Sequence, residues 1–242
     1  MNAPFLNSNQ IFELSIYAFL SDKEIRSDLV TGFIKDENDY TSNFTGAFRR
    51  NINSYSKTGL NATSFMLPNQ GEQETGCDAT IIISNSIEAK IILFEAKWPR
   101  LSKSNSRWDY KQTASGLSHF SDQLDRQKNF NNLFAIFEII YCEYPFFSEP
   151  NYMQPHGSSC IWHENALDFK NKRKTPNAIW NKNDMINLLK TGNNPIYEIM
   201  KDICECKYGD LIRMNKPEEI IEEFRLEGNV LAIEANNDLP ES

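Results

Sequence analysis

Between Asp78 and Lys97 the chain reads DATIIISNSIEAKIILFEAK, and the residues able to do chemistry sit at the ends of its two apolar runs. Asp78 stands at the mouth of the first run, and Glu95-Ala96-Lys97 closes the second. Ala79 to Ile83 and Ala89 to Phe94 are apolar and β-branched at strand length, and Asn85-Ser86 between them is a turn signal. A hairpin centred on Ser86-Ile87 sets Asp78 opposite Glu95, and opposed residues of a ladder share one face of the sheet. Lys97, two residues beyond Glu95, falls on that face as well. Two carboxylates and an ammonium then converge at the end of an apolar sheet, where charges are costly to desolvate unless paired. A divalent cation together with a phosphate would pair them; the plainer alternative is a core hairpin closed by a surface salt bridge among the three.

Asp78 and Glu95, with the main-chain carbonyl of Ala96, offer the hard oxygens that Mg²⁺ prefers, leaving several waters in place. A cation there can act as a Lewis acid on a phosphate and lower the pKa of an attacking water. Lys97 would orient that water or hold a non-bridging oxygen as charge develops.

This arrangement resembles the signature of the PD-(D/E)xK nuclease superfamily, the restriction-endonuclease-like fold, with Asp78 as the single acid and Glu95-Ala96-Lys97 as the (D/E)xK element. The proline of the signature is replaced here, since Gly76-Cys77 precede Asp78. The resemblance implies an α/β fold with a central mixed β-sheet flanked by helices, an αβββαβ core running helix, three-stranded meander, helix, strand. It also implies Mg²⁺, or Mn²⁺ in its place, and hydrolysis of DNA phosphodiester bonds to a 5′-phosphate and a 3′-hydroxyl. Two more site residues follow from it. Glu37 opens the first helix, where many members carry a glutamate that joins the metal site; an acid favoured by the helix dipole is the alternative reading. Gln123 lies on the helix after the ExK strand, where several branches place a glutamine; His119 and Gln127 on that helix read as a solvated face.

The elements needed to hold these residues follow in order. Asp36 to Asn53 has Tyr40, Phe44, Ala47 and Phe48 at helical spacing. Thr63 to Leu67, stopped by Pro68, supplies the first strand of the meander. A helix with Leu117, Phe120, Leu124 and Gln127 along one side follows the hairpin, and Phe134 to Cys142 reads as a closing strand. Cys160 to His163 suggests one more strand; Asp184 to Leu189, Pro195 to Cys206 and Pro217 to Leu226 look helical. The expected organisation is a single domain over 1–242: an N-terminal helical segment (1–35), a nuclease-like core (36–143) and a mainly helical C-terminal elaboration (144–242), ending in a polar, frayed stretch from Asn236. His156, Cys160 and His163 are zinc-type ligands without an evident fourth.

The net charge of −8 argues against indiscriminate binding to nucleic acid, so local charge must carry that case. Lys97, Arg100, Lys103, Arg107 and Lys111 face Asp109 alone, interleaved with Trp98, Trp108 and Tyr110. Directly after the ExK strand, such a loop would meet a phosphate backbone and stack on bases; a solvated loop whose tryptophans cap the core is the alternative. A second basic block runs Lys170, Lys172, Arg173, Lys174. No apolar run approaches membrane-spanning length and the N-terminus lacks a signal-peptide pattern, so a cytoplasmic protein without a membrane partner is expected. Five cysteines without CxxC spacing suit reduced thiols. The expected function is an endonuclease of restriction or anti-phage defence, for which a homodimer would let two sites cut opposite strands. The alternatives are a non-catalytic module that keeps the fold for nucleic-acid or protein binding, and a sugar-phosphate site sharing only the hairpin.

Overall fold

The computed structural model describes residues 5–67, 75–104, 108–113 and 115–236. Helix α1 (Ser8–Thr31) starts from a capping box between Asn7 and Gln10 and stops at Gly32, whose φ of 84° is the left-handed conformation glycine adopts without steric cost. Helix α2 (Glu37–Tyr55) is capped by Asp36, which accepts the Asp39 amide, and has Glu37 and Asp39 in its first turn, where the helix dipole favours acids. Strands β1 (Leu60–Met66), β2 (Ala79–Ser84) and β3 (Ala89–Lys97) follow. Then come α3 (His119–Gln127), β4 (Ala135–Ile140), β5 (Ser159–Trp162), α4 (His163–Lys172), α5 (Lys182–Thr191), α6 (Ile196–Cys204), α7 (Pro217–Glu223) and β6 (Asn229–Ala235).

These strands form one six-stranded mixed sheet in the order β1-β6-β2-β3-β4-β5. The β2–β3 hairpin has the expected register from Ser84–Ala89 to Ala79–Phe94; beyond it the ladder is irregular, because Asp78 donates its amide to the Phe94 carbonyl at 3.0 Å, beside Glu95. Asn85 shapes its turn by accepting the Ile87 and Glu88 amides at 2.8 and 2.9 Å. Strand β3 pairs parallel with β4, with Glu95 level with Glu138, and β4 pairs antiparallel with β5.

Two expectations are corrected here. The three strands in chain order do not form a meander, because β6 lies between β1 and β2, antiparallel to the first and parallel to the second. The C-terminal region is accordingly more than a helical elaboration: β5 and β6 are both built into the sheet.

Every residue of β2 and β3 is buried, as expected of central strands covered on both faces. On one face, Ile81, Ile83, Phe94 and Ile139 pack with Leu14 of α1, Phe44 and Phe48 of α2, and Ile199 of α6. On the other, Ile140 and Ile161 meet Phe120 and Leu124 of α3 and Leu188 of α5, while Ile82, Leu93 and Ile136 meet Ile220 of α7. The result is a three-layer α/β/α arrangement. Glu95 and Lys97 alternate with Phe94 and Ala96, so they emerge on the α3 side. Among the described residues no helix is long and apolar enough to cross a membrane, and the five cysteines are free thiols.

Candidate active site

Where β2 begins and β3 ends, Asp78, Glu95, Lys97, Glu37 and Gln123 line one open cleft of about 510 Å³. Each arrives from a different constraint. The hairpin register delivers Asp78, whose Oδ2 accepts the Ala96 amide at 2.7 Å. The N–H and C=O of a strand residue point to the same side, so the Ala96 carbonyl also faces the gap beyond the start of β2. Glu37 comes from the first turn of α2 and accepts the Trp98 amide at 2.6 Å, clamping the chain as it leaves β3. Gln123 comes from α3 and donates Nε2 to Glu95 Oε1, the oxygen that also pairs with Lys97 Nζ.

Asp109, the acid in the basic loop, is what positions α3: it accepts the Ser118 hydroxyl at 2.7 Å, the Phe120 amide at 3.1 Å and the Trp180 amide at 2.7 Å.

The electrostatics of the cleft are unbalanced. Glu95 is fully buried; that burial, with the facing Asp78 carboxylate, pushes its carboxyl well above the usual range against the pull of Lys97. For Lys97, burial alone would lower the pKa, but Glu95, Glu37 and Asp78 outweigh it and hold the ammonium charged. Glu95 Oε2 is buried without a hydrogen-bond partner, and an orphaned buried oxygen of this kind calls for an explanation. A hard divalent cation fits it. Among the described residues no three His, Cys, Asp or Glu side chains converge as a ready cage, so holding a cation would fall to Glu95, Asp78 and the Ala96 carbonyl with waters. That sparse protein contribution is what Mg²⁺ usually takes. The same finding applies to His156, Cys160 and His163, which form no such group.

The expected nucleic-acid contacts divide. Arg100 and Lys103 line the cleft, with the Arg100 guanidinium 4.3 Å from the centre of the Trp98 ring. Lys111 is exposed and bridges to Ser118 outside the cleft wall, and Arg107 lies outside the described residues. Trp108 packs edge-on against Phe120 and Trp180 and so caps the core, whereas exposed Tyr110 stacks on His119 with ring centres 4.6 Å apart. The second basic block is largely neutralised: Lys170 pairs with Asp125, Lys172 with Asp168 and Arg173 with Asp184.

The reading of His119 and Gln127 as a solvated face is also corrected. Gln127 is fully buried and donates to the Gly76 carbonyl at 2.9 Å, steadying the approach to Asp78. His119 is half-buried on the cleft wall, and burial together with the Lys97 and Arg126 charges holds its pKa below the ordinary value. Sequence reasoning missed Glu138, which is fully buried, level with Glu95 and 3.4 Å from His163 Nδ1. Its signal was available, since FAIFEIIYC carries one charge in an otherwise apolar strand.

No protein-family model, no curated protein and no solved structure matches this chain. The resemblance to the nuclease superfamily therefore rests on the residues and their placement alone.

Proposed function

We propose that the protein is a Mg²⁺-dependent endonuclease that hydrolyses DNA phosphodiester bonds, in the setting of restriction or anti-phage defence. The observation that carries this reading is the meeting of Asp78, Glu95, Lys97 and Glu37 in one cleft with Glu95 Oε2 left unpartnered. When bound, the cation would supply Lewis-acid polarisation of the phosphate and a more acidic water.

The chain's own residues would do the rest. Glu95 and Asp78 would hold the cation, and the cation in turn would favour the ionised form of Glu95 that burial opposes. Lys97, kept protonated by its three acidic neighbours, is a donor rather than a base, so its part is to stabilise charge growing on a non-bridging phosphate oxygen. Gln123 fixes the Glu95 carboxylate through Oε1 and leaves Oε2 without a partner. Arg100 and Lys103 supply local positive charge at the cleft of an acidic chain, and would place the phosphate backbone along it. By the same resemblance the products would be a 5′-phosphate and a 3′-hydroxyl.

The test is incubation with supercoiled plasmid in Mg²⁺, Mn²⁺ or EDTA, alongside Glu95→Ala and Lys97→Ala. Nicking that needs metal and disappears in both variants is the expected result. Metal-independent nicking, or nicking unchanged in the variants, would refute the assignment. Wild type and variants equally inert, while still binding DNA, would favour the non-catalytic module.

A further inference from the structure

A second cavity, of about 350 Å³, shares Asp78 and Asn38 with the active cleft but none of its Glu95–Lys97 wall. We propose that it holds an unpaired nucleobase of the strand being cut, next to the scissile phosphate, which makes single-stranded or locally opened DNA the substrate. The inference rests on the nuclease reading above and names the substrate form for the same site.

Three observations give the cavity this chemistry. Its apolar wall is aromatic: Phe130 and Phe134 lie nearly parallel at 5.9 Å between centres, and Phe224 meets Phe134 edge-on at 5.5 Å. Phe134 is buried and braces the other two, which are half-buried and line the space. Aromatic faces of this kind bind any base by stacking.

The wall also carries Glu227, whose Oε2 is buried without a hydrogen-bond partner. A carboxylate oxygen only accepts, so the missing partner is a donor, which on a nucleobase is an N–H. Guanine, whose Watson–Crick edge presents adjacent ring and exocyclic N–H groups, suits it best.

Arg225 lines the cavity too, with a φ of 49° in the left-handed region that non-glycine residues avoid. Such strain persists where surrounding structure imposes it, often at ligand clamps. The Arg225 guanidinium is exposed and makes no ion pair or hydrogen bond among the described residues, which leaves it available to a phosphate.

Because the two cavities share Asp78, a phosphate in one and a base in the other belong to neighbouring positions of one strand. A base stacked and paired in a duplex cannot enter such a pocket.

The experiment uses end-labelled single strands, each with one abasic nucleotide at a known position, digested with Mg²⁺ and read as a cleavage ladder. At one fixed offset from the abasic nucleotide, cutting should fall about tenfold or more, and the matched duplex should be cut more slowly than the single strand. Phe224→Ala should erase the gap in the ladder. Glu227→Gln, which keeps the aromatic wall, should erase a preference for guanine at that offset. A ladder with no gap at any offset overturns the pocket and leaves the nuclease standing. Failure to cut any strand with Mg²⁺ or Mn²⁺ overturns both.

Discussion

Asp78 grips the end of β3 twice: its amide donates to the Phe94 carbonyl at 3.0 Å and its Oδ2 accepts the Ala96 amide at 2.7 Å. It therefore has two separable roles, as a brace for the end of β3 and as a negative charge in the cleft. Asp78→Asn keeps an oxygen for the Ala96 amide and removes the charge. Its stability should stay within about 1 kcal/mol of wild type, while Mn²⁺ affinity and plasmid nicking should drop at least about a hundredfold. Calorimetry showing undiminished Mn²⁺ affinity would remove Asp78 from the metal role.

Gln123 acts through Glu95 and is a positioning residue. Gln123→Ala should weaken Mn²⁺ binding about tenfold by freeing the Glu95 carboxylate, with KM for DNA little changed. Gln123→Glu loses the amide donor and sets a like charge against Glu95 Oε1, so it too should shift the Mg²⁺ dependence of nicking away from wild type. If alanine and glutamate variants show the same Mg²⁺ dependence as wild type, Gln123 is only a packing residue.

Glu13 ties α1 to the turn after α2, accepting the Ser56 hydroxyl at 2.6 Å, the Lys57 amide at 2.9 Å and the Thr58 hydroxyl at 2.8 Å. Partial burial alone would raise its pKa, but these donors outweigh it and hold the carboxyl below its ordinary value of 4.5. The folded state thus binds this proton less readily than the unfolded state. The stabilisation is present above pH 4.5 and fades as pH falls through the lower folded value. Glu13→Gln should cost at most about 1 kcal/mol at neutral pH, because the group keeps contact with solvent that screens it, and the difference from wild type should close in acid. Urea titrations at both pH values would show it; a constant difference would mean that the charge is irrelevant.

The hairpin and its charged end were legible because all their determinants are local. Asn85 marks the turn, the apolar runs fix the register, and a period of two puts Glu95 and Lys97 on one face. Glu37 was legible as the first-turn acid after the Asp36 cap. Strand β6 was not: NVLAIEA is short and alanine-containing, and its place depends on partners far away in the chain, which no local pattern encodes. Gln127 was misread for a related reason, since a glutamine on a polar helix is normally solvated and its partner is the Gly76 carbonyl from another element. The base pocket was invisible because its aromatic wall joins the end of α3 to the segment between α7 and β6.

Arg26 is the other long-range device that sequence hides, a fully buried guanidinium in the C-terminal part of α1. It donates to the carbonyls of Cys142 at 3.2 Å, Tyr144 at 2.9 Å and Gly157 at 3.4 Å, and pairs with Glu149 at 2.7 Å. The loop between β4 and β5, which carries Pro145, Pro150 and Pro155, is thereby pinned to α1. Arg26→Ala would leave Glu149 and those carbonyls without their partner, and should cost about 3–5 kcal/mol, read as a lower urea midpoint. Replacing Arg26 and Glu149 together by Met and Leu should recover part of that loss, because removing both charges avoids leaving one stranded. If the double variant is no more stable than Arg26→Ala, the loop is held by the carbonyl contacts and the ion pair contributes little.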